Sequence, residues 1–446
     1  MKSFVKSLAI TIICILTLST LFACGAAPSG KDHYAPGPGY DDGYRPSDTG
    51  KDNAELYPYP DGGSGDSGVS GEITPIRPGQ LTAAAHNDND YYEDWLKLFY
   101  KGQTSEDNGK FVEHITDNFG LYSLSRVKVT VTCGENVVEQ AAVTCTKDDK
   151  TLFSAMTDAA GVAYLFPQKS SGDITVSCVI NNKIQIKKTT YSATDRDVKV
   201  NFENGTSEKA KLIQLMFVID ATGSMGDEMN YLKAELGNVI ERVVAKHSGD
   251  ITIHLGFVFY RDDSDKQKFV VAYFKDVTDK NDYAEMQDIL ASVTASGGGD
   301  YPEALDEAML MAVNKQWAAD GTKIIFNLLD APCHRTEEDK ANYSSAVAAA
   351  AAKGIRICPV LASGADQFTE YLVRQAAILT GGTFTYITDD SGIGGSHHDP
   401  DLPNDVIELM NDMLVRLVDG YYTGTFEQPV HWRDSVLQQE KTNPAQ

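Results

Sequence analysis

The chain of 446 residues carries 63 aspartates and glutamates against 39 lysines and arginines, a formal net charge of −24. This acidic excess argues against a general nucleic-acid binder and against docking onto an anionic membrane through a basic patch, because both need cationic surface. The length suits two or three domains, and seven cysteines are too few for a disulfide scaffold of this size.

The first residues have the pattern of an export signal. Two lysines precede an apolar run that ends at Phe22, which is long enough for a signal peptide and short for a stable membrane span. The run closes with Leu21-Phe22-Ala23-Cys24-Gly25, which resembles a bacterial lipoprotein signal. That resemblance implies a signal peptide over residues 1–23 and a lipid on Cys24, which would anchor the protein to the extracellular side of the cell membrane. An ordinary signal peptide and a short anchor helix are the alternatives.

The next two segments are predicted to connect this anchor to the folded domains. Residues 24–90 are rich in proline, glycine, serine, aspartate and tyrosine without a regular spacing. No face of such a segment can be buried, so we predict a disordered tether. In residues 91–125, apolar side chains recur at helical spacing from Tyr92 to Phe99, which predicts a short helical connector that packs onto the domain after it.

Residues 126–205 show the alternation of half-buried strands. Six short segments alternate apolar and polar residues, and turn-forming residues separate them. This spacing predicts a small antiparallel β-sandwich. Residues 142–167 resemble the Ig-like modules of the carboxypeptidase-regulatory and collagen-adhesin repeat type, which serve as spacers. For Cys133, Cys145 and Cys178, a disulfide between two of them and buried free thiols are equal alternatives.

Strands alternate with helices between residues 210 and 422. The apolar run 211–219 predicts a buried parallel strand, and helical periodicity follows it to about residue 246. Strands at 251–260 and 269–274, joined by a short connector, predict an antiparallel pair with the second strand at an edge. Further helices are predicted at 281–295, 302–318, 337–353, 367–380 and 402–419, and further strands at 323–329, 355–362 and 383–387. The pattern predicts an α/β fold, a doubly wound and mostly parallel sheet with helices on both faces, followed by a C-terminal tail over 423–446.

Oxygen-bearing side chains cluster in the loops at one edge of this predicted sheet. Asp220, Thr222 and Ser224 follow the first strand, Asp300 lies in a glycine-rich loop before a helix, and Asp330 closes the strand 323–329. Ligands of doubly wound sheets bind beyond the carboxyl ends of the strands. Hard oxygen ligands suit Mg²⁺ or Mn²⁺ better than Zn²⁺, so the sequence predicts a magnesium or manganese site there.

The layout resembles a von Willebrand factor type A (VWA) domain. The segment Asp220-x-Thr222-x-Ser224 matches the DxSxS motif of the family's metal-ion-dependent adhesion site. The resemblance implies that Thr222 and Ser224 coordinate the ion directly, and that Asp220 and Asp330 bind it or hold its waters. The second loop of the family commonly supplies a threonine, whereas this chain has Asp300, as does a known subgroup. Whether Asp300 binds the metal directly or through water stays open.

These features predict a lipid-anchored, surface-exposed and non-enzymatic adhesion protein. A cation held by neutral hydroxyls and few charges seeks a carboxylate, so the expected partner is a protein that offers an acidic side chain. One alternative is a Mg²⁺-dependent hydrolase, because Asp220 after a buried strand also resembles the nucleophile of haloacid-dehalogenase-type phosphatases. That family has a second aspartate at the position that Thr222 occupies here, so the chain departs from its pattern. Another alternative is a non-adhesive factor in the assembly of an envelope complex.

Each candidate residue also has a simpler interpretation as a structural residue. Ser224 fits a helix N-cap, Asp300 with Glu303 fits a second helix cap, and Asp330 fits a turn at the end of a strand. Two histidine-containing segments, Cys333-His334 and His397-His398, offer metal or nucleophile chemistry, but we predict a packed loop for the first and a solvated loop for the second.

Overall fold

The computed structural model describes residues 76–168, 173–180, 185–192, 197–203, 209–247, 250–400, 402 and 405–442. The predicted signal peptide, Cys24 and most of the predicted tether lie outside the described residues. Within the described part of the chain, the strands are β1 (Thr82–His86), β2 (Val127–Cys133), β3 (Asn136–Val137), β4 (Ala142–Lys147), β5 (Lys150–Met156), β6 (Val162–Leu165), β7 (Asp173–Ile180), β8 (Gln185–Ser192), β9 (Asp197–Phe202), β10 (Leu212–Asp220), β11 (Thr252–Tyr260), β12 (Phe269–Asp276), β13 (Thr322–Leu329), β14 (Ile355–Leu361), β15 (Phe384–Ile387) and β16 (Glu408–Leu409). The α-helices are α1 (Tyr92–Lys97), α2 (Gly226–His247), α3 (Lys280–Ser292), α4 (Leu305–Val313), α5 (Glu337–Lys353), α6 (Gln367–Thr380), α7 (Met410–Thr423) and α8 (Trp432–Thr442).

The largest sheet has eight strands in the order β12-β11-β10-β13-β14-β15-β1-β16. The strands from β11 to β15 in this order are parallel, and β12 runs antiparallel to β11 at one edge. The prediction of a mostly parallel sheet with an antiparallel edge strand is therefore confirmed. Strands β10 and β13 are neighbours, so their carboxyl ends lie side by side.

Helices cover both faces of this sheet because its central strands are apolar on both sides. In β10, Phe217 and Ile219 pack in one core while Met216 and Val218 pack in the other, as alternate residues of a strand must. Side chains of α2, α3 and α7 fill the first core, and those of α4, α5 and α6 fill the second. The predicted α/β fold with helices on both faces is confirmed.

The predicted tether is wrong at its C-terminal end. Residues 82–86 form β1, which pairs antiparallel with β15 and also with β16. The connector after it packs on the large α/β core, since Trp95 and Phe111 contact each other and Phe111 contacts Tyr371 of α6. The reason is burial: this segment supplies aromatic side chains that cover α6, and its strand completes the sheet.

The small strands form two sheets of four strands around their own apolar core. One contains β3-β2-β6 with β9 beside β2, and the other is β5-β4-β7-β8. The prediction of a wholly antiparallel arrangement is wrong at one place, because β2 and β9 pair in parallel. Cys145 and Cys178 are buried free thiols. The boundaries 126–205 and the Ig-like character of this region stay predictions.

The last helices differ from the expected bounds. The helix predicted at 402–419 begins only at Met410, because Glu408–Leu409 pairs with β1 as a strand. The helix predicted at 302–318 is also shorter, since α4 spans Leu305–Val313. Residues 432–442 of the predicted tail form α8. No helix among the described residues combines the length and the apolar character needed to span a membrane.

Candidate metal centre

Two neighbouring parallel strands deliver the first acids of the candidate centre. Asp220 is the last residue of β10, and Asp330 follows directly after β13. Asp220 is fully buried and Asp330 is 4% exposed. Burial, followed by the charge of Asp330, raises the pKa of Asp220 well above its ordinary value. Burial also raises the pKa of Asp330. The fold thus brings together two carboxylates whose ionised forms are unfavourable unless a cation lies beside them.

The hydroxyls after β10 lie beside these acids. The Thr222 hydroxyl donates to Asp220 Oδ1 at 2.7 Å, and the Thr222 main-chain N–H donates to the same oxygen at 2.9 Å. The hydroxyl oxygens of Thr222 and Ser224 are 3.0 Å apart. Ser224 also hydrogen-bonds the Asp330 carboxyl, which works against the effect of burial on that group's pKa. Thr222 is buried whereas Ser224 is exposed, so the row of oxygens leads from the interior to the surface.

Glu303 is a third buried acid in this group, and sequence reasoning assigned it only to a helix cap. It is 4% exposed, and burial together with the charges of Asp220, Asp262 and Asp330 raises its pKa to about 9. Its main-chain N–H donates to Pro332 O at 2.9 Å, which joins the glycine-rich loop to the loop after β13. The signal that could have found it is a glutamate placed between the glycine run and an apolar helix.

One carboxylate oxygen of each buried acid lacks a hydrogen-bond partner. These oxygens are Asp220 Oδ2, Asp330 Oδ1 and Glu303 Oε2. A buried, unpartnered carboxylate oxygen is costly unless a cation or a proton satisfies it. Three hard carboxylates with two hydroxyls beside them are a donor set that suits Mg²⁺ or Mn²⁺. The residues present therefore fit a divalent cation of this kind.

The capping interpretations do not describe these residues. Helix α4 begins after Ala304 without a side-chain cap, so neither Asp300 nor Glu303 caps it. Ser224 lies inside a 3₁₀ turn, Gly223–Met225, and its hydroxyl faces Thr222 instead of capping α2.

Asp300 is exposed, unlike the buried acids, and it belongs to a second group with Asp262 and His334. Its side chain is 67% exposed, and its Oδ2 is 3.3 Å from His334 Nε2. Asp262, which follows β11, offers a carboxylate oxygen to the same group. The structure therefore brings four of the five predicted metal ligands together and places Asp300 with Asp262 and His334.

The glycine run lets the second loop pass close to the loop after β11. Gly297 and Gly298 have φ angles of 80° and 94°, which side chains rarely adopt. A Cβ at Gly297 would lie 2.3 Å from Asp265 Oδ1, and one at Gly299 would lie 2.8 Å from Asp262 Oδ1. The glycines are thus required for close approach to an acidic loop.

The other histidine-bearing segment is paired rather than solvated. His397 is buried, with Nε2 2.9 Å from Glu228 Oε1 and Nδ1 2.7 Å from Asp389 Oδ1. His398 Nε2 lies 2.6 Å from Glu370 Oε2. The prediction of a solvated loop here is wrong, because these rings bind acids of the fold. Cys333 is buried, and burial raises the pKa of its thiol well above the ordinary value, which disfavours a thiolate nucleophile.

Comparisons with known proteins point to one family for the large α/β region. Residues 214–388 match the family model described as von Willebrand factor A domain. A curated relative, "Alpha-protein kinase vwkA" from Dictyostelium discoideum, is 27% identical over 144 residues, which are 32% of this chain and 22% of the relative. The match thus spans about a fifth of that protein's length.

Two solved structures show weaker likeness. The pilus adhesin SpaC from Lactobacillus rhamnosus GG aligns at a TM-score of 0.34 and 10% identity, over 63% of this chain and 35% of the adhesin. A von Willebrand factor type A protein from Catenulispora acidiphila aligns at a TM-score of 0.30 and 12% identity, over 64% of this chain and 51% of that one. Neither likeness is close enough to carry an argument about function.

Proposed function

We propose that the chain, whose residues 214–388 match the von Willebrand factor A domain model, is a binding protein that recognises a protein partner through a divalent cation. The observation that carries this proposal is the group of buried carboxylates Asp220, Asp330 and Glu303, each with an oxygen that no hydrogen bond satisfies. The group lies at the carboxyl ends of β10 and β13, where doubly wound sheets bind their ligands.

The oxygens around the cation have distinct roles in this proposal. Thr222 and Ser224 coordinate Mg²⁺ or Mn²⁺ through their hydroxyls, while Asp220 and Asp330 bind the ion or its waters. The hydrogen bond from Thr222 to Asp220 fixes the orientation of that hydroxyl, so its lone pairs face away from Asp220. The cation supplies a positive centre for an oxygen ligand from outside. Exposed Ser224 places the open side of the centre at the surface, where an acidic side chain of a partner protein fits.

The geometry favours binding over catalysis by Asp220. A nucleophilic aspartate must present an oxygen to substrate, but Asp220 is fully buried and its Oδ1 accepts two hydrogen bonds from Thr222. The phosphatase alternative also needs a second acid at position 222, where the structure has a hydroxyl that donates to Asp220. We therefore propose a non-enzymatic role, and the kinase activity named for the Dictyostelium relative is not carried over.

We further propose that the protein acts outside the cell membrane. The support is the segment Leu21-Phe22-Ala23-Cys24-Gly25, which resembles a lipoprotein signal, followed by a tether without regular apolar spacing. In this arrangement a lipid on Cys24 holds the chain to the membrane, and the VWA domain faces outward to a protein ligand. The net charge of −24 makes nucleic acid an unfavourable partner.

The test combines metal binding with capture of a partner. The full chain is titrated with Mg²⁺ by calorimetry and then used to capture proteins from cell-surface extracts, with Mg²⁺ or with chelator. We expect Asp220→Asn to lose both Mg²⁺ binding and capture, and the exposed Asp288→Asn of α3 to keep both. Capture that is equal in chelator, or that survives in Asp220→Asn at unchanged thermal stability, contradicts the proposal. Capture only of the cell's own envelope proteins favours the assembly role over adhesion.

A further inference from the structure

Three side chains from three loops converge beside the first centre. Asp262 follows β11, Asp300 follows the glycine run and His334 lies in the loop after β13. One ligand atom of each lies within 4.8 Å of the others. The group therefore offers two carboxylates and an imidazole to a common point.

Asp262 is the buried member, and one of its oxygens has no partner. The residue is 2% exposed, its Oδ1 accepts a hydrogen bond from the Ser264 N–H at 2.7 Å, and its Oδ2 is buried without a hydrogen bond. A buried carboxylate oxygen beside a second carboxylate is unfavourable unless a positive charge lies between them. The partly exposed ring of His334 gives this oxygen no hydrogen bond.

The spacing of the ligand atoms also fits a metal better than a direct ion pair. A charge-assisted contact between a ring nitrogen and a carboxylate has a length of about 2.7–2.9 Å. The distance from His334 Nε2 to Asp300 Oδ2 is 3.3 Å. Two ligands of a tetrahedral Zn²⁺ with bonds of about 2.0–2.1 Å lie about 3.3–3.4 Å apart. The observed separation of 3.3 Å is compatible with two ligands on one ion.

The surrounding residues hold this arrangement in place. Asp263 Oδ2 lies 4.0 Å from the other ring nitrogen of His334, on the side where a metal-bound histidine has an acid or carbonyl partner. The bond between the Glu303 N–H and Pro332 O joins the loops that carry Asp300 and His334. Gly299 brings the loop of Asp300 against Asp262.

We propose that Asp262, Asp300 and His334 form a second cation site that takes Zn²⁺ or a similar first-row transition ion. A nitrogen ligand beside two carboxylates suits such an ion more than Mg²⁺, which favours oxygen and water. Three protein ligands leave a fourth position open, and the exposure of Asp300 puts that position at the surface. This site stands whether or not the first centre binds Mg²⁺.

The test measures Zn²⁺ binding by the full chain in the presence of millimolar Mg²⁺, by equilibrium dialysis and metal analysis. We expect one Zn²⁺ per chain in the wild type. Since loss of a group that only supports a metal ligand costs about 10- to 100-fold in affinity, loss of the ligand in His334→Ala should cost at least about tenfold. The exposed Asp300→Asn should do the same without disturbing the fold. His431→Ala is the matched control and should bind Zn²⁺ as the wild type does.

Two results overturn this assignment. The first is Zn²⁺ binding in His334→Ala and Asp300→Asn that equals the wild type, which leaves the three side chains as an ordinary ion-pair group. The second is loss of Zn²⁺ in Asp220→Asn, which would place the ion in the first centre. Retention of Zn²⁺ in Asp220→Asn, together with loss of Mg²⁺, supports two separate sites. Thermal unfolding of each variant shows that a loss of metal is not a loss of fold.

Discussion

Glu303→Gln should stabilise the metal-free protein and reduce the stabilisation that Mg²⁺ gives. The side chain is 4% exposed and lies among other acids, and its pKa rises from an ordinary 4.5 to about 9. In the unfolded chain the carboxyl ionises above pH 4.5, whereas in the folded chain it keeps its proton to about pH 9. The unfolded state is therefore favoured increasingly as the pH rises between these values.

The size of this effect follows from the two pKa values. Each pH unit above 4.5 costs about 1.4 kcal/mol of folding stability, so the penalty at pH 7 is about 3 kcal/mol. Water at the rim of the loop screens the charges and reduces this figure, and we expect about 1–3 kcal/mol. Glutamine has nearly the same shape and cannot ionise, so Glu303→Gln removes this penalty. A divalent cation removes it in the wild type, because the ionised glutamate then has an opposite charge beside it.

The assay is urea unfolding, followed by tryptophan fluorescence, in chelator at pH 5 and at pH 8. The stability of Glu303→Gln should exceed that of the wild type by less than about 1 kcal/mol at pH 5 and by clearly more at pH 8. Saturating Mg²⁺ should reduce the difference in the free energy of unfolding between Glu303→Gln and the wild type. The exposed Glu241→Gln of α2 should stay within about 0.5 kcal/mol of the wild type throughout. A Glu303→Gln protein that is no more stable than the wild type at pH 8 in chelator would refute the reasoning.

Two further predictions concern the supports of the fold. Arg374→Met should cost about 3–5 kcal/mol in urea unfolding, because Arg374 is 1% exposed and its loss leaves two buried acids, Asp88 and Glu370, without their guanidinium. The control Arg242→Met breaks a half-exposed pair and should cost at most about 1 kcal/mol. Equal losses in the two variants would show that burial does not set the difference in stability. Gly297→Ala should lower the free energy of unfolding by about 1–3 kcal/mol and weaken Mg²⁺ binding in calorimetry. The reasons are the positive φ of Gly297 and the clash of an added Cβ with the Asp265 carboxylate. Gly237→Ala, within α2, should instead stabilise by up to about 1 kcal/mol, and a neutral Gly297→Ala would contradict the proposed role of the glycine run.

The large sheet was predictable because its signal is local. Buried parallel strands appear as continuous apolar runs, and β10 and β13 are each long enough to be recognised alone. Strand β1 gives no such signal. Its sequence is mostly alanine, which has low strand propensity, and Thr82 contacts Thr388 across 306 residues of chain. Its membership of the sheet depends on a partner edge that no local pattern reveals.

In the candidate centre, too, the residues with a local sequence signal were predictable and those placed by contacts between loops were not. The spacing of Asp220, Thr222 and Ser224 lies within one loop, and Asp330 is placed by the end of its strand, so a sequence pattern could assemble these four. Glu303 was missed because its burial depends on a bond between two loops, through its N–H and Pro332 O. The proximity of Asp300 to His334 has the same origin, since neither residue carries a signal about the other.

Charge balance connects the two proposed cation sites. A single divalent ion among Asp220, Asp330 and Glu303 already meets up to three negative charges, and adding Asp300 would make four. Such a centre would repel the acidic side chain of a partner, in a protein whose net charge is already −24. A second cation on Asp262, Asp300 and His334 would instead neutralise the charge of Asp300, so that this charge would not add to those around the first ion. The departure of the second loop from threonine to Asp300 then does not weaken the first centre, because the carboxylate serves the neighbouring ion.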